Sequence, residues 1–162
     1  MKSISKAELA KYIDHTILKP DATTEDILNL CSEAIKYGFA SVCVNPCHIE
    51  RCVPLLRPSG IKTATVIGFP LGATKSEVKF YEAGLALLAG ADELDMVINI
   101  GWLKSGRYDE LKKEVSDIAL LCKDAEKTLK VIIETSLLTE QEKITACKIV
   151  SEADAGFIKT ST

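Results

Sequence analysis

The chain has 162 residues, 47% hydrophobic and 27% charged, which suits one soluble globular domain with a substantial core. Its net charge of -3 gives no basic footprint for nucleic acid. No apolar run approaches the roughly 18 residues that a membrane span needs. The stretch from Met1 to Lys6 carries no leader-like apolar core, so a cytoplasmic protein is expected. Of six cysteines, Cys31, Cys122 and Cys147 fall at apolar helical positions, where a free thiol packs as a small hydrophobe. Cys43, Cys47 and Cys52 are spaced too loosely for a zinc knuckle, with only His48 nearby. Reduced thiols and no metal are therefore expected.

In chain order, a short amphipathic helix is predicted at residues 5–11, followed by a strand at 12–18. Thr23-Thr24-Glu25-Asp26 has the form of a capping box, opening a helix with Ile27, Leu30, Cys31 and Ala34 at helical spacing. Gly38 ends that helix, a strand follows at 40–44, and Asn45-Pro46 supplies an N-cap and a first-turn proline for the next helix. The unit repeats with a strand at 61–67, a loop at 68–72 and a helix capped by Thr74-Lys75-Ser76-Glu77, with Val78, Tyr81, Leu85 and Leu88 on one face. Gly90 stops it, and a fourth strand is predicted at 94–98. A longer helix turns Tyr108, Leu111, Val115, Ile118 and Cys122 inward. A fifth strand at 129–133, a helix capped by Thr139-Glu140-Gln141-Glu142, and a sixth, buried strand at 155–158 complete the series. Short apolar strands alternating with helices indicate an α/β protein with a parallel sheet. Leu18-Lys19-Pro20-Asp21 stands where a dinucleotide fingerprint would follow the first strand. Tandem βα units without that fingerprint, or a Walker loop, suit a barrel.

In parallel α/β folds, chemistry collects at the carboxyl ends of strands. The residues found there are Asp14 and Thr16, Cys43 and Asn45, Asp95 and Asn99, Lys130 and Glu134, and finally Lys159, followed by Thr160, Ser161 and Thr162. Alternation puts Asp95, Val97 and Asn99 on one side, as it does Lys130, Ile132 and Glu134. A lysine desolvated at a strand end has its pKa lowered and becomes a nucleophilic amine, able to form a Schiff base with a carbonyl. Lys130 would assist by like-charge repulsion, and Asp95 would move protons during imine formation and bond cleavage. Two blander readings stand beside this one: a lysine snorkelling to a sheet edge, and an ion-pair network of purely structural use.

Five stretches together resemble the deoxyribose-phosphate aldolase family, in that family's order across the whole chain. They are Tyr12-Ile-Asp-His-Thr-Ile-Leu-Lys19, Thr65-Val-Ile-Gly-Phe-Pro-Leu-Gly72, Gly90-Ala-Asp-Glu-Leu-Asp-Met-Val-Ile-Asn-Ile-Gly101, Leu129-Lys-Val-Ile-Ile-Glu-Thr135 and Phe157-Ile-Lys-Thr-Ser-Thr162. The resemblance implies a TIM (β/α)8-type barrel that uses no cofactor. It also implies reversible cleavage of 2-deoxy-D-ribose 5-phosphate to glyceraldehyde 3-phosphate and acetaldehyde. On it, Lys159 falls on the Schiff-base lysine, Asp95 on the proton-relay aspartate and Lys130 on the lysine beside the reactive one. Asp14, Thr16, Cys43 and Thr162 fall on residues lining the substrate pocket. The partners implied are a small phosphosugar or aldehyde and a second copy of the chain in a dimer, with no nucleic acid and no membrane.

Only about six parallel strands are counted over residues 1–162, where a barrel has eight. This is read as a single, incomplete barrel domain, lacking the family's second catalytic lysine and the phosphate-holding loops after strands seven and eight. Very low aldolase turnover is expected of it. Two alternatives stay open: a catalytically weak or inactive α/β module that associates through its sheet edges, and a different Schiff-base aldolase that shares Lys159.

Overall fold

The structure is a computed structural model that describes residues 4–162; residues 1–3, part of the stretch read as lacking a leader core, lie outside the described residues. The strand order is β1-β2-β3-β4-β5-β6, as expected for tandem βα units, and the pairs β1–β2, β2–β3, β4–β5 and β5–β6 are parallel. The chain divides into two compact units: one holds the described residues up to Thr65 with Ala89–Asp92, the other Val66–Leu88 with Glu93–Thr162.

The first unit opens with α1 (Lys6–Ala10), where Ser5 and Glu8 form a reciprocal capping box. Then come β1 (Asp14–Ile17), α2 (Thr24–Tyr37), β2 (Ser41–Val44), α3 (Ile49–Leu56) and the start of β3 (Lys62–Ile67). The capping box predicted for α2 forms between Thr23 and Asp26, and Gly38 closes the helix at φ 68°, the left-handed conformation that glycine adopts without penalty. Asn45 makes no side-chain cap; Pro46 instead enters a 3-10 turn, Pro46–His48, before α3 begins. Ile27, Leu30, Cys31 and Ala34 of α2 pack with Val42, Val44, Cys52, Leu56 and Ile61 as the core of this unit. Alternation therefore sends Cys43 to the opposite face of β2. Asp92 closes the unit: its amide donates to the Thr63 carbonyl (2.7 Å) and its carboxylate accepts from the Thr63 amide (3.0 Å).

The second unit contains the end of β3, then α4 (Ser76–Leu88), β4 (Glu93–Val97), α5 (Ile100–Lys104), α6 (Tyr108–Asp124), β5 (Thr128–Ile132), α7 (Glu140–Glu152) and β6 (Phe157–Lys159). Thr139 and Glu142 form the predicted capping box of α7. Leu111, Val115, Ile118 and Cys122 of α6 are buried as expected, whereas Tyr108, in its first turn, is exposed.

Two further expectations fail, for identifiable reasons. The α4 stripe of Val78, Tyr81, Leu85 and Leu88 faces outward, Leu88 being 86% exposed, while Lys79, Ala83 and Ala86 face inward. This helix has two faces that would tolerate burial, and hydrophobicity alone does not rank them. Small alanines permit the closer approach, and a lysine is admitted because a carboxylate waits for it. Lys79 Nζ donates to Glu114 Oε1 of α6 (2.7 Å) and to the Val97 carbonyl (2.9 Å), and both charged side chains are fully buried. Ser76, read as part of the α4 cap, donates its hydroxyl to Glu114 Oε2 (2.6 Å). Burial pulls the Lys79 pKa below its ordinary value, against the opposing effect of Glu114. The second failure is β6. Predicted as buried, it leaves Phe157 58% and Ile158 41% exposed, because it stands last in the strand order with β5 as its neighbour.

Candidate active site

The second unit brings three of the predicted residues together. Register pairs Asp95 with Lys130 across β4–β5, and Ile132 with Lys159 across β5–β6. Lys130 thus lies on the strand between Asp95 and Lys159, all three on the same sheet face by alternation. Lys159 is two residues further along than the Asp95–Lys130 layer, about 7 Å at the rise of a strand. Its long side chain folds back, and Nζ donates to Asp95 Oδ2.

A fourth member, Glu93, completes the group. Lys130 Nζ is 2.6 Å from Glu93 Oε2 and 3.3 Å from Asp95 Oδ1. Two ammonium groups and two carboxylates make the cluster formally neutral, which is what allows Asp95 to be 1% exposed and Lys130 and Glu93 to be buried. The expected repulsion between Lys130 and Lys159 is accordingly offset, because Lys130 has a carboxylate of its own and Asp95 stands between the lysines. Lys159 is the accessible member, its side chain 30% exposed. Glu93 lies in the Gly90–Gly101 stretch but was not among the residues expected at the site. Its two-residue spacing from Asp95, which puts both carboxylates on one face, is the signal that would have revealed it.

Beyond Lys159 the chain stays attached to the end of β5. The Ile133 amide donates to the Lys159 carbonyl (3.0 Å) and the Thr135 amide to the Thr160 carbonyl (2.7 Å). Thr162, predicted as a lining residue, donates from its amide (3.1 Å) and its hydroxyl (2.8 Å) to Glu134 Oε2. Glu134 does not continue the β5 alternation, since its backbone is left-handed at φ 52°. Its carboxyl is held below its ordinary pKa, chiefly by the Thr162 hydroxyl and then by Ser136, whose hydroxyl donates to Oε1 (2.9 Å). Asn99 serves as the N-cap of α5, accepting from the Trp102 amide (3.1 Å).

The remaining predicted residues form a group of their own in the first unit. Ser41 donates its hydroxyl to Asp14 Oδ1 (2.7 Å), and the Thr16 hydroxyl donates to the Asp14 carbonyl (2.9 Å). Thr16 is the register partner of Cys43, which is buried, and both stand on the β1–β2 face away from α2 and α3. His15, alternating to the other face, meets Glu33 of α2 at 2.8 Å. Among the described residues, no three His, Cys, Asp or Glu side chains gather in a way that could hold a metal ion.

An amine paired with a nearly buried carboxylate and open to solvent can attack a carbonyl while the carboxylate takes or returns the proton. Comparison with known proteins finds aldolases. The DeoC/LacD family aldolase model matches residues 8–162. A deoxyribose-phosphate aldolase of Thermococcus gammatolerans is 55% identical over 157 residues, covering 96% of this chain and 70% of that protein. One from Clostridium kluyveri is 52% identical over 159 residues, covering 98% and 72%. The deoxyribose phosphate aldolase structure from Aeropyrum pernix superposes with a TM-score of 0.90 at 38% identity, over 97% of this chain and 65% of that one. A crystal structure from Coccidioides immitis gives 0.95 at 41%, over all of this chain and 63% of its own. The chain thus spans a little under two thirds of these two structures and somewhat over two thirds of the two sequence relatives. Six parallel strands in sequence order, a strand-end lysine on a buried aspartate, and identity of this extent have one explanation: the chain belongs to the DeoC/LacD family of aldolases.

Proposed function

We propose that the chain carries the Schiff-base half of a class I aldolase site, acting on 2-deoxy-D-ribose 5-phosphate. The observation that supports it most is the Lys159–Asp95 pair, with Lys159 partly open and Asp95 enclosed. Asp95 takes the ammonium proton, and the neutral amine adds to the aldehyde carbon of the open-chain sugar. The carbinolamine then loses water, with Asp95 returning a proton to the departing hydroxyl, and an iminium results. The iminium accepts the electron pair of the C2–C3 bond as the C3 hydroxyl gives its proton, directly or through water, to the Asp95 carboxylate, which releases glyceraldehyde 3-phosphate and leaves an enamine. Protonation of the enamine at C2 and hydrolysis return acetaldehyde and the lysine. Lys130 keeps Asp95 from being wholly committed to Lys159, and Glu93 balances Lys130. Asp14, Thr16, Cys43 and Thr162 are proposed to line the substrate, and residues 1–162 to act as one partial barrel domain in the cytoplasm. Among the described residues no helix is long and apolar enough to cross a membrane.

The test is borohydride trapping with acetaldehyde, followed by peptide mapping. A reduced two-carbon adduct on Lys159, absent in Lys159→Ala, is the expected result. An adduct elsewhere, or none, refutes the site. Release of glyceraldehyde 3-phosphate from deoxyribose 5-phosphate then measures turnover.

A second reading is favoured by the exposed apolar side chains of β6: association of copies through that strand, whose outer edge is a template for pairing. The homodimer is proposed on a different surface, the outward stripe of α4. Sedimentation of Leu88→Glu beside Phe157→Glu separates the two, since whichever substitution yields monomers marks the interface. The Aeropyrum pernix relative is described as having a unique tetrameric structure.

A further inference from the structure

We propose that Glu134 is a positioning residue for the reactive lysine, holding the segment that follows Lys159 and orienting the Thr162 hydroxyl toward substrate. The proposal rests on the Schiff-base reading of Lys159. β5 ends at Ile132, yet the chain from Lys159 to Thr162 stays fastened beside it for three more residues. The last of these fastenings is a carboxylate and not a sheet ladder. Glu134 Oε2 takes both the amide (3.1 Å) and the hydroxyl (2.8 Å) of Thr162, and Oε1 takes the Ser136 hydroxyl (2.9 Å).

The backbone at Glu134 is left-handed, φ 52° and ψ 68°, a conformation costly for a side chain of this kind and usually left to glycine. Such strain persists where the surroundings over-determine it, and it concentrates at functional sites. Here the left-handed turn is what swings the carboxylate toward Thr162. Two consequences follow. The Cα of Lys159 is fixed from both sides, which matters because its amine stands at the end of four rotatable bonds and must meet a carbonyl carbon within a fraction of an ångström. The Thr162 proton is committed to Glu134, so Oγ1 offers only lone pairs to its other side. Thr162 is therefore an acceptor, suited to a hydroxyl of the substrate.

Two variants separate positioning from folding. Glu134→Gly keeps the left-handed backbone without strain and removes the carboxylate, whereas Glu134→Gln keeps an acceptor oxygen. The readouts are the maximal rate of borohydride-trapped adduct formation as acetaldehyde is raised, and hydrogen exchange at the Thr135 and Thr162 amides. Glu134→Gly is expected to lower the maximal rate about tenfold or more, in line with the sensitivity of reaction rates to misplacement, and to speed exchange at both amides. The half-saturating acetaldehyde concentration should stay unchanged. Glu134→Gln is expected to restore most of the rate. Trapping at the unsubstituted rate in Glu134→Gly overturns the proposal, as does Glu134→Gln failing as badly as glycine. If the unsubstituted chain traps no aldehyde, the Schiff-base reading falls, and the positioning role with it. Exchange then still judges the fastening: faster exchange in Glu134→Gly upholds it, and unaltered exchange refutes it.

Discussion

The buried pair Lys79–Glu114 supports a quantitative expectation. Lys79→Met removes an ammonium that bonds Glu114 Oε1 and the Val97 carbonyl, and both charged side chains are fully buried. Glu114 would keep the Ser76 hydroxyl bond and lose its counter-charge. Breaking a buried pair from one side costs about 3–5 kcal/mol, because the remaining charge is left uncompensated. For a chain of this size 1 kcal/mol corresponds to about 2–4 °C, so the melting temperature should fall by about 6–20 °C. Replacing both partners, Lys79→Met with Glu114→Leu, removes the stranded charge and should recover most of the loss, leaving mainly the lost bond to the Val97 carbonyl. Circular dichroism melts of the wild type, the two single variants and the double variant form the cycle. A single-variant drop below about 2 °C, under 1 kcal/mol on the same scale, would refute the claim that this pair is both buried and coupled. So would a double variant no more stable than the sum of the singles.

Gly72→Ala should destabilise strongly, by about 3 kcal/mol or more. The residue has φ +65°, and an added Cβ would lie 1.9 Å from the Ile98 carbonyl oxygen, a backbone atom that cannot swing aside; urea titration measures it. Acid should unravel helix starts first. Asp26 and Glu142, both held below their ordinary pKa by bonds at their capping boxes, lend stability that is complete above their unfolded values. That stability is lost as pH falls out of the ordinary carboxyl range, about 4, and through the lower folded values, so protection at the first turns of α2 and α7, taken relative to intrinsic exchange, should drop before that of the helix interiors. Uniform exchange along these helices would contradict this. Thiol labelling at pH 8 should modify the exposed Cys47 first and leave Cys122 untouched in the folded chain, since Cys122 is buried and its thiol is pushed up to about 11. Cys122 reacting as fast as Cys47 would show that α6 opens readily.

Local chemistry was enough to specify the element types, their order and several of their ends. Capping boxes at Thr23 and Thr139, a glycine at position 38 and short apolar runs each act within a few residues, so they can be read without the fold. Alternation within a strand could be read in the same way, but of Asp95, Lys130 and Lys159 only Lys159 stands at a strand end: Asp95 and Lys130 lie mid-strand in β4 and β5, and Asp14 begins β1, because the ladders start and stop where neighbouring strands pair. Packing decided what lies between elements. Only contact with α6 reveals that Lys79 turns inward and that Val78, Tyr81, Leu85 and Leu88 do not, because both faces of α4 satisfy a helical period and the choice depends on which fits closely against its neighbours. β6 looked buried for a related reason: an apolar run records a tendency to be covered, whereas cover requires a neighbouring element. The charge balance of the site belongs to the same class. Glu93 meets Lys130 on the neighbouring strand, and Glu134 reaches Thr162, 28 positions later, from a left-handed turn. Spacing could place Glu93 on the face of Asp95, but which partner each group meets becomes visible only when the strands are laid side by side, since whether a buried ion is tolerated depends on the partner that the fold delivers to it.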